Sequence, residues 1–232
     1  MHAYTVASCY KFVTIHDPDL FKPDILNTMK KYRILGTFIL ATEGLNAGFS
    51  GTAEDMQKMY TFLRADPRLT DLIFKETYTD TMPFERRKVK LRSEIVTLGV
   101  PGTEALITKE THLSPEDWNK LLDDPDVLVL DARNHYEVTL GQFRGAVDPK
   151  IDTFREFPAY VEKNLLDKKK CTIAMYCTGG IRCEKSTAYF KNLGFENVYQ
   201  LDGGILNYID TIPEEESKWD GSCFVFDDRM AI

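Results

Sequence analysis

Hydrophobic positions in the N-terminal part of the chain follow two periods, one typical of strands and one typical of helices. Residues 4–12 are rich in β-forming side chains, and residues 20–32 place apolar side chains at helical spacing. A further strand is predicted at 34–41. A second helix is predicted at 53–64, because the helical pattern stops shortly before Pro67. This part of the chain therefore mixes helices with strands.

Glycines divide the region between these elements. Residues 42–51 are predicted to form a glycine-punctuated turn that leads into a short strand. Strand-like patterns follow at 72–77 and 87–96. The resulting order, β-α-β-β-α-β, predicts a ferredoxin-like α+β domain of the acylphosphatase-like kind.

The second half of the chain has a different pattern. Ser114 and Pro115 are the N-cap and first helical residue of a predicted helix. The runs 127–130, 172–176 and 198–201 are short, apolar and without alternation, as strands buried in a parallel sheet are. We therefore predict an α/β domain with a mostly parallel sheet.

These two patterns predict the domain organisation. The ferredoxin-like domain is expected at residues 1–97, and a linker containing glycines and a proline at 98–113. The α/β domain is expected at 114–213. An acidic stretch then opens a C-terminal tail at 214–232.

Composition limits both the location of the protein and the chemistry of its cysteines. The formal net charge of the 232 residues is -7. Because an acidic protein repels phosphate overall, nucleic acid would have to bind at a local basic patch. No apolar run is long enough to span a bilayer, and the N-terminus lacks a signal-peptide pattern, which predicts a cytoplasmic protein without membrane contact. The five cysteines include no C-x-x-C pair, which disfavours disulfides and structural zinc.

One cysteine occupies a position where parallel sheets build sites. Cys177 follows the predicted strand at 172–176, and a glycine-containing loop leads to a helix expected to start near Cys183 or Glu184. Loop N–H groups and the helix N-terminus both favour a thiolate. Arg182 could hold an anionic substrate group or stabilise charge. A buried, inert cysteine is the alternative. The other loop residues that support Cys177 are Thr178, Gly179, Gly180, Ile181 and Cys183.

Four sequence blocks follow one another in the second half of the chain. They are residues 130–133, residues 141–146, the Cys177 loop and residues 194–205. The first block ends in Asp131-Ala132-Arg133. The chain resembles the rhodanese family in all four, with Asp131 and Arg133 as supporting residues. Cysteine and arginine are spaced C-x4-R, whereas related phosphatases have a loop one residue longer. This spacing disfavours phosphatase activity.

Other blocks extend the resemblance over nearly the whole chain. Residues 41–47, 133–137, 176–185 and 224–230 are similar to those of the oxygen-dependent tRNA uridine-34 hydroxylases. The resemblance implies that the wobble uridine in the anticodon loop of tRNA becomes 5-hydroxyuridine, with molecular oxygen as co-substrate and Cys177 as an essential residue. Together with the loop chemistry above, we predict Cys177 and Arg182 as the catalytic residues. It also implies a cysteine-rich segment beyond the position of Met230, which this sequence does not contain.

A basic run in the first predicted domain is a candidate RNA surface. In a strand, Val89 and Leu91 would face inward and the intervening cations outward, where they would contact phosphates without reading sequence. A solvated surface strand is the alternative. The candidate RNA-binding residues are Arg86, Lys88, Lys90 and Arg92.

Two other functions use the same loop. A sulfurtransferase would carry a persulfide on Cys177, and a non-catalytic interaction module would be expected to lack this cysteine. No residue spacing indicates a metal site or a dinucleotide cofactor, so no cofactor is predicted; the sequence does not indicate the electron donor or the oligomeric state. For the hydroxylation, Cys177 could add to C6 of uridine. Alternatively, Cys183 could resolve an oxidised Cys177.

Overall fold

The computed structural model describes residues 2–103 and 109–232. Within them the chain forms two compact units. The first comprises Met1–Val96 with Phe226–Met230, and the second comprises Thr97–Val225 with Ala231–Ile232. Part of the predicted linker, 104–108, lies outside the described residues.

The first unit is a five-stranded sheet with two helices. Its strands run in the order β4-β1-β3-β2-β5, and only the contact between β2 and β5 is parallel. The elements are β1 (Tyr4–Phe12), α1 (Pro18–Lys31), β2 (Leu35–Ala41), β3 (Gly44–Gly51), α2 (Ala53–Arg64), β4 (Lys75–Thr79) and β5 (Arg87–Leu91).

Helix starts and apolar faces explain why these segments fold as they do. The hydroxyl of Thr52 accepts a hydrogen bond from the backbone N–H of Asp55 and so caps α2. In α1, Phe21, Ile25 and Met29 recur at four-residue intervals and are buried against the sheet. Each helix therefore covers the same core with one apolar side.

The turn and the short strand predicted at 42–51 are present, as a turn at 42–43 followed by β3, which pairs with β1 and β2 along its length. Two other predicted boundaries in this unit were wrong. The strand predicted at 72–77 begins only at Lys75, where pairing with β1 begins. The strand predicted at 87–96 ends at Leu91, where its pairing with β2 ends.

The second unit has an all-parallel sheet in the order β6-β10-β9-β7, and a two-stranded sheet of β8 and β11. The strands are β6 (His112–Leu113), β7 (Val127–Asp131), β8 (Gly141–Phe143), β9 (Thr172–Tyr176), β10 (Asn197–Leu201) and β11 (Trp219–Gly221). The helices are α3 (Pro115–Leu121), α4 (His135–Val138), α5 (Phe157–Asn164), α6 (Ile181–Asn192) and α7 (Gly204–Thr211).

Aromatic side chains fill one core of the second unit. Phe143 is fully buried and packs edge-to-face on Tyr176, Tyr208 and Trp219. Trp219 belongs to β11, within the predicted tail, so part of that tail is packed in the core of this unit. These contacts fix the carboxyl end of β9, where Cys177 follows.

Candidate functional site

Cys177 begins a tight loop between β9 and α6. The helix starts at Ile181, earlier than the sequence predicted, because Gly180 takes the N-cap position with a φ of 99° that favours glycine. Arg182 and Cys183 therefore lie in the first turn of α6. The positive end of the helix dipole points toward the cysteine loop.

The N-terminus of α7 holds this loop in place. The backbone N–H groups of Ile205 and Leu206 donate to the carbonyls of Cys177 and Thr178 at 3.0 and 3.1 Å. A Cβ at Gly204 would lie 2.4 Å from the carbonyl oxygen of Cys177, so only glycine fits. Two helix N-termini thus shape the loop. The N-terminus of α7 binds its backbone carbonyls, and the N-terminus of α6 faces the Cys177 sulfur.

The Cys177 sulfur is fully buried in a cluster of donors. The backbone N–H of Gly180 donates to Sγ at 3.2 Å. Burial alone would raise the pKa of Cys177, but a hydrogen bond from the Cys183 thiol, the charge of Arg182 and the backbone N–H groups of both residues lower it to about 6. The environment therefore favours the thiolate near neutral pH.

We expect a titration of thiolate absorbance, wild type minus Cys177→Ser, to show a midpoint near pH 6. An unfolded cysteine has a pKa of about 8.5, so the thiolate stabilises the fold fully above that pH. This stabilisation is lost as the pH falls through the folded pKa of about 6. A midpoint near the unfolded value of about 8.5 would contradict this description of the loop.

Arg182 is held by a buried carboxylate. Its Nη1 and Nη2 donate to Oε1 and Oε2 of Glu137 at 2.6 and 2.7 Å. Glu137 is fully buried in α4, where burial works to raise its pKa, but the charge and hydrogen bonds of Arg182 outweigh burial and lower it. Both terminal nitrogens of Arg182 thus bind Glu137, while the charge of Arg182 lowers the pKa of Cys177.

Asp131 and Arg133 form a second buried ion pair. Arg133 Nη2 donates to Asp131 Oδ2 at 2.6 Å and to the carbonyl of Gly141 at 2.7 Å. Its guanidinium lies 5.1 Å from the ring centre of Trp219, and neither charged side chain is exposed. This pair connects β7 to β8 and β11, and so supports the frame around the loop.

Two further thiols lie around Cys177. Cys183 is fully buried and its side chain is hydrogen-bonded to that of Cys177. Cys223 is also fully buried, and burial raises its pKa to about 12, with smaller contributions from the charges of Glu137 and Cys177. Cys171, by contrast, is exposed.

The predicted basic run lies in the first unit. Lys88 and Lys90 belong to β5, which is an edge strand, whereas Val89 between them is buried in the core with Ile25 of α1. Alternation along the strand places both lysines on the sheet face turned away from the helices. Arg86 and Arg92, just outside the strand, are exposed.

Neither a metal site nor a membrane span occurs in the described part of the chain. In 2–103 and 109–232, His, Cys, Asp and Glu side chains form no group of three or more suited to a metal ion. No helix within these ranges combines the length and apolar character needed to cross a bilayer.

Comparison with known proteins assigns both units. Residues 4–95 match the family described as UPF0176 acylphosphatase like domain, and residues 114–211 match the rhodanese-like domain. A tRNA uridine(34) hydroxylase from Legionella pneumophila (strain Corby) is 55% identical over 98% of this chain and 89% of that protein. The chain belongs to this hydroxylase family.

A second curated relative has the same name, and one solved structure is similar to part of the chain. The tRNA uridine(34) hydroxylase of Legionella pneumophila (strain Paris) is 54% identical to this hydroxylase-family chain, again over 98% of it and 89% of the relative. A rhodanese-like domain protein from Staphylococcus aureus, of known structure, is 24% identical over 42% of this chain and 90% of that chain, with a TM-score of 0.34. The family matches confirm the predicted fold class.

Two residues of the site, Glu137 and Gly204, were not predicted from the sequence as supports of the cysteine loop. Glu137 also caps the start of α4, since the backbone N–H of Asn134 donates to its Oε1 at 3.1 Å. The spacing Asn134-x-x-Glu137 is a recognisable signal for such a helix start. For Gly204, the paired glycines Gly203-Gly204 before a helix were the available signal.

Proposed function

We propose that this chain hydroxylates C5 of uridine 34 in the anticodon loop of tRNA, with molecular oxygen as co-substrate and the Cys177 thiolate as the reacting group. The observation that carries the proposal is identity of 54 to 55% to proteins named tRNA uridine(34) hydroxylase over 98% of the chain. The low pKa of Cys177 supports it, because nucleophilic catalysis needs the thiolate.

The thiolate would act by adding to C6 of the uracil ring. Addition makes C5 carbanion-like, so that C5 can react with oxygen. Arg182 acts in this account as a positioning residue, because Glu137 occupies its terminal nitrogens while its charge lowers the pKa of Cys177. Since Cys177 is fully buried, groups that cover it must move before a base can reach the sulfur.

A sulfurtransferase is the second candidate, because the same loop would stabilise a Cys177 persulfide. Both candidates need the thiolate, so the pKa of Cys177 does not separate them. The acylphosphatase-like unit favours the hydroxylase, since sulfur transfer from thiosulfate to a small acceptor has no need of a second domain.

Incubation of the protein with unmodified tRNA, in air and under argon, distinguishes these reactions. Mass spectrometry of the nucleosides should show 5-hydroxyuridine in air and none under argon. Thiolated uridine, or thiocyanate formation from thiosulfate and cyanide without any 5-hydroxyuridine, would support the sulfurtransferase instead.

Lys88 and Lys90 are proposed to bind tRNA phosphates. Replacing both with glutamate should weaken tRNA binding and make log affinity less steeply dependent on log salt, because fewer counterions are released. The slope should fall by about 1 for each phosphate that is no longer neutralised. Filter binding or fluorescence anisotropy over a range of salt concentrations measures this slope.

The matched control replaces two lysines with glutamate in the second unit, which gives the same change in net charge. Lys168 and Lys170 are exposed in the second unit, and their replacement by glutamate should leave the slope unchanged. Charged residues on an edge strand also discourage pairing with other chains. If the Lys88/Lys90 variant binds tRNA with the wild-type slope and instead self-associates, these lysines protect the edge and do not bind RNA.

A further inference from the structure

Cys183 is placed to react with Cys177 after that residue has been oxidised. It lies in the first turn of α6, it is fully buried, and its side chain is hydrogen-bonded to the Cys177 sulfur. The Gly180 N–H, 3.2 Å from the same sulfur, keeps the Cys177 side chain turned toward this helix end. The hydrogen bond between the two side chains makes Cys183 a direct neighbour of the Cys177 sulfur.

The two thiols have different protonation behaviour. Burial, followed by the hydrogen bond and charge of Cys177, raises the pKa of Cys183 well above its ordinary value. One cysteine of the pair is thus a thiolate and the other a thiol near neutral pH. The Cys177 thiolate can add to a base, and the Cys183 thiol retains a proton and an electron pair that a later reduction step can use.

Hydroxylation with molecular oxygen requires two electrons besides those taken from the uracil ring. One oxygen atom enters the C5 hydroxyl and the other leaves as water. A pair of thiols that becomes a disulfide releases two electrons and two protons. One turnover therefore balances against the oxidation of one dithiol.

We propose that Cys177 and Cys183 form a redox pair that supplies these two electrons from within the protein. This inference rests on the proposed hydroxylation. The net reaction converts the uridine C5–H bond, one oxygen molecule and two cysteine thiols into the C5–OH group, one water and the Cys177–Cys183 disulfide. An external thiol reductant then restores both cysteines by thiol–disulfide exchange.

Each step balances in atoms and electrons. Cys177 thiolate forms a bond to C6, and the electron pair at C5 attacks oxygen to give, after protonation, a C5 hydroperoxide. With Cys177 bonded to C6 and no longer charged, the Cys183 sulfur attacks the outer oxygen as its thiol proton passes to the inner oxygen. The O–O bond breaks and leaves a C5 hydroxyl and a Cys183 sulfenic acid. Loss of the C5 proton expels Cys177 as thiolate. That thiolate attacks the sulfenic sulfur, and the disulfide forms as water leaves.

A single-turnover experiment tests the pair. Fully reduced protein is freed of reductant, mixed with excess unmodified tRNA in air, and sampled for 5-hydroxyuridine and for protein thiols. We expect up to one 5-hydroxyuridine per chain and two thiols oxidised for each one formed, with the Cys177–Cys183 disulfide found by peptide mass spectrometry. Excess dithiothreitol should restore repeated turnover.

Variants separate this inference from the proposed function. Cys183→Ser should lose product formation without reductant and regain it with dithiothreitol, whereas Cys171→Ser, at an exposed position, should behave as wild type. Product without loss of thiols in the wild type, or a disulfide to Cys223, would overturn the pair and leave the hydroxylation standing. Absence of 5-hydroxyuridine under all conditions, dithiothreitol included, would overturn both. The count of thiols oxidised per product is made on the wild-type protein, so it tests the pair even if a variant fails to fold.

Discussion

Replacement of Cys177 by serine is expected to reduce 5-hydroxyuridine formation by at least about 10³-fold, because removal of a covalent nucleophile typically costs that much or more. A serine hydroxyl is far less acidic than a thiol and would not ionise in the donor cluster around Gly180 and Arg182. Quantitative mass spectrometry of nucleosides from treated tRNA measures the loss.

The control for this substitution is Cys171→Ser. Cys171 is exposed, so its replacement should leave both activity and stability unchanged. The Cys177→Ser variant should also bind tRNA as the wild type does. Activity within tenfold of wild type in a folded Cys177→Ser protein would place the reacting group elsewhere.

Replacement of Arg182 by methionine is expected to lower the free energy of unfolding by about 3–5 kcal/mol, because Glu137 would remain buried without its partner. The pKa of Cys177 should rise in the same variant, since the charge of Arg182 lowers it. Denaturant unfolding gives the stability, and titration of thiolate absorbance gives the pKa.

A double variant tests whether the loss comes from an unpaired charge. Replacing Glu137 by glutamine together with Arg182 by methionine removes both charges, so part of the lost stability should return. The pKa of Cys177 should stay raised, because the arginine is still missing. If the double variant is less stable than either single variant, the bidentate contact of 2.6 and 2.7 Å is not the source of the stability loss.

The Cys177 loop could be predicted from sequence because its signals are local. A buried strand, two glycines and a helix start follow one another within 172–183. These signals are adjacent in the sequence, so recognising them needs no knowledge of contacts between distant residues. The start of α6 was placed too late because Gly180 at its N-cap is a weak cap signal compared with serine or aspartate.

The partner of Arg182 could not be predicted in the same way. Glu137 lies 45 positions earlier in the chain and reaches Arg182 only because β7 and β9 are neighbours in the sheet. The extent of β3 depended likewise on pairing with two other strands. In each case the deciding contact joins distant parts of the chain, which hydrophobic periodicity does not report.

The origin of the oxygen atom in the product tests the central claim most directly. Reduced wild-type protein and unmodified tRNA are incubated under dioxygen labelled with the heavy isotope, in ordinary water, and the nucleosides are analysed by mass spectrometry. Hydroxylation through a Cys177 adduct predicts that the C5 hydroxyl of 5-hydroxyuridine carries the heavy isotope and that the Cys177→Ser protein forms none. Product with oxygen from water, or labelled product from the Cys177→Ser protein, would contradict it.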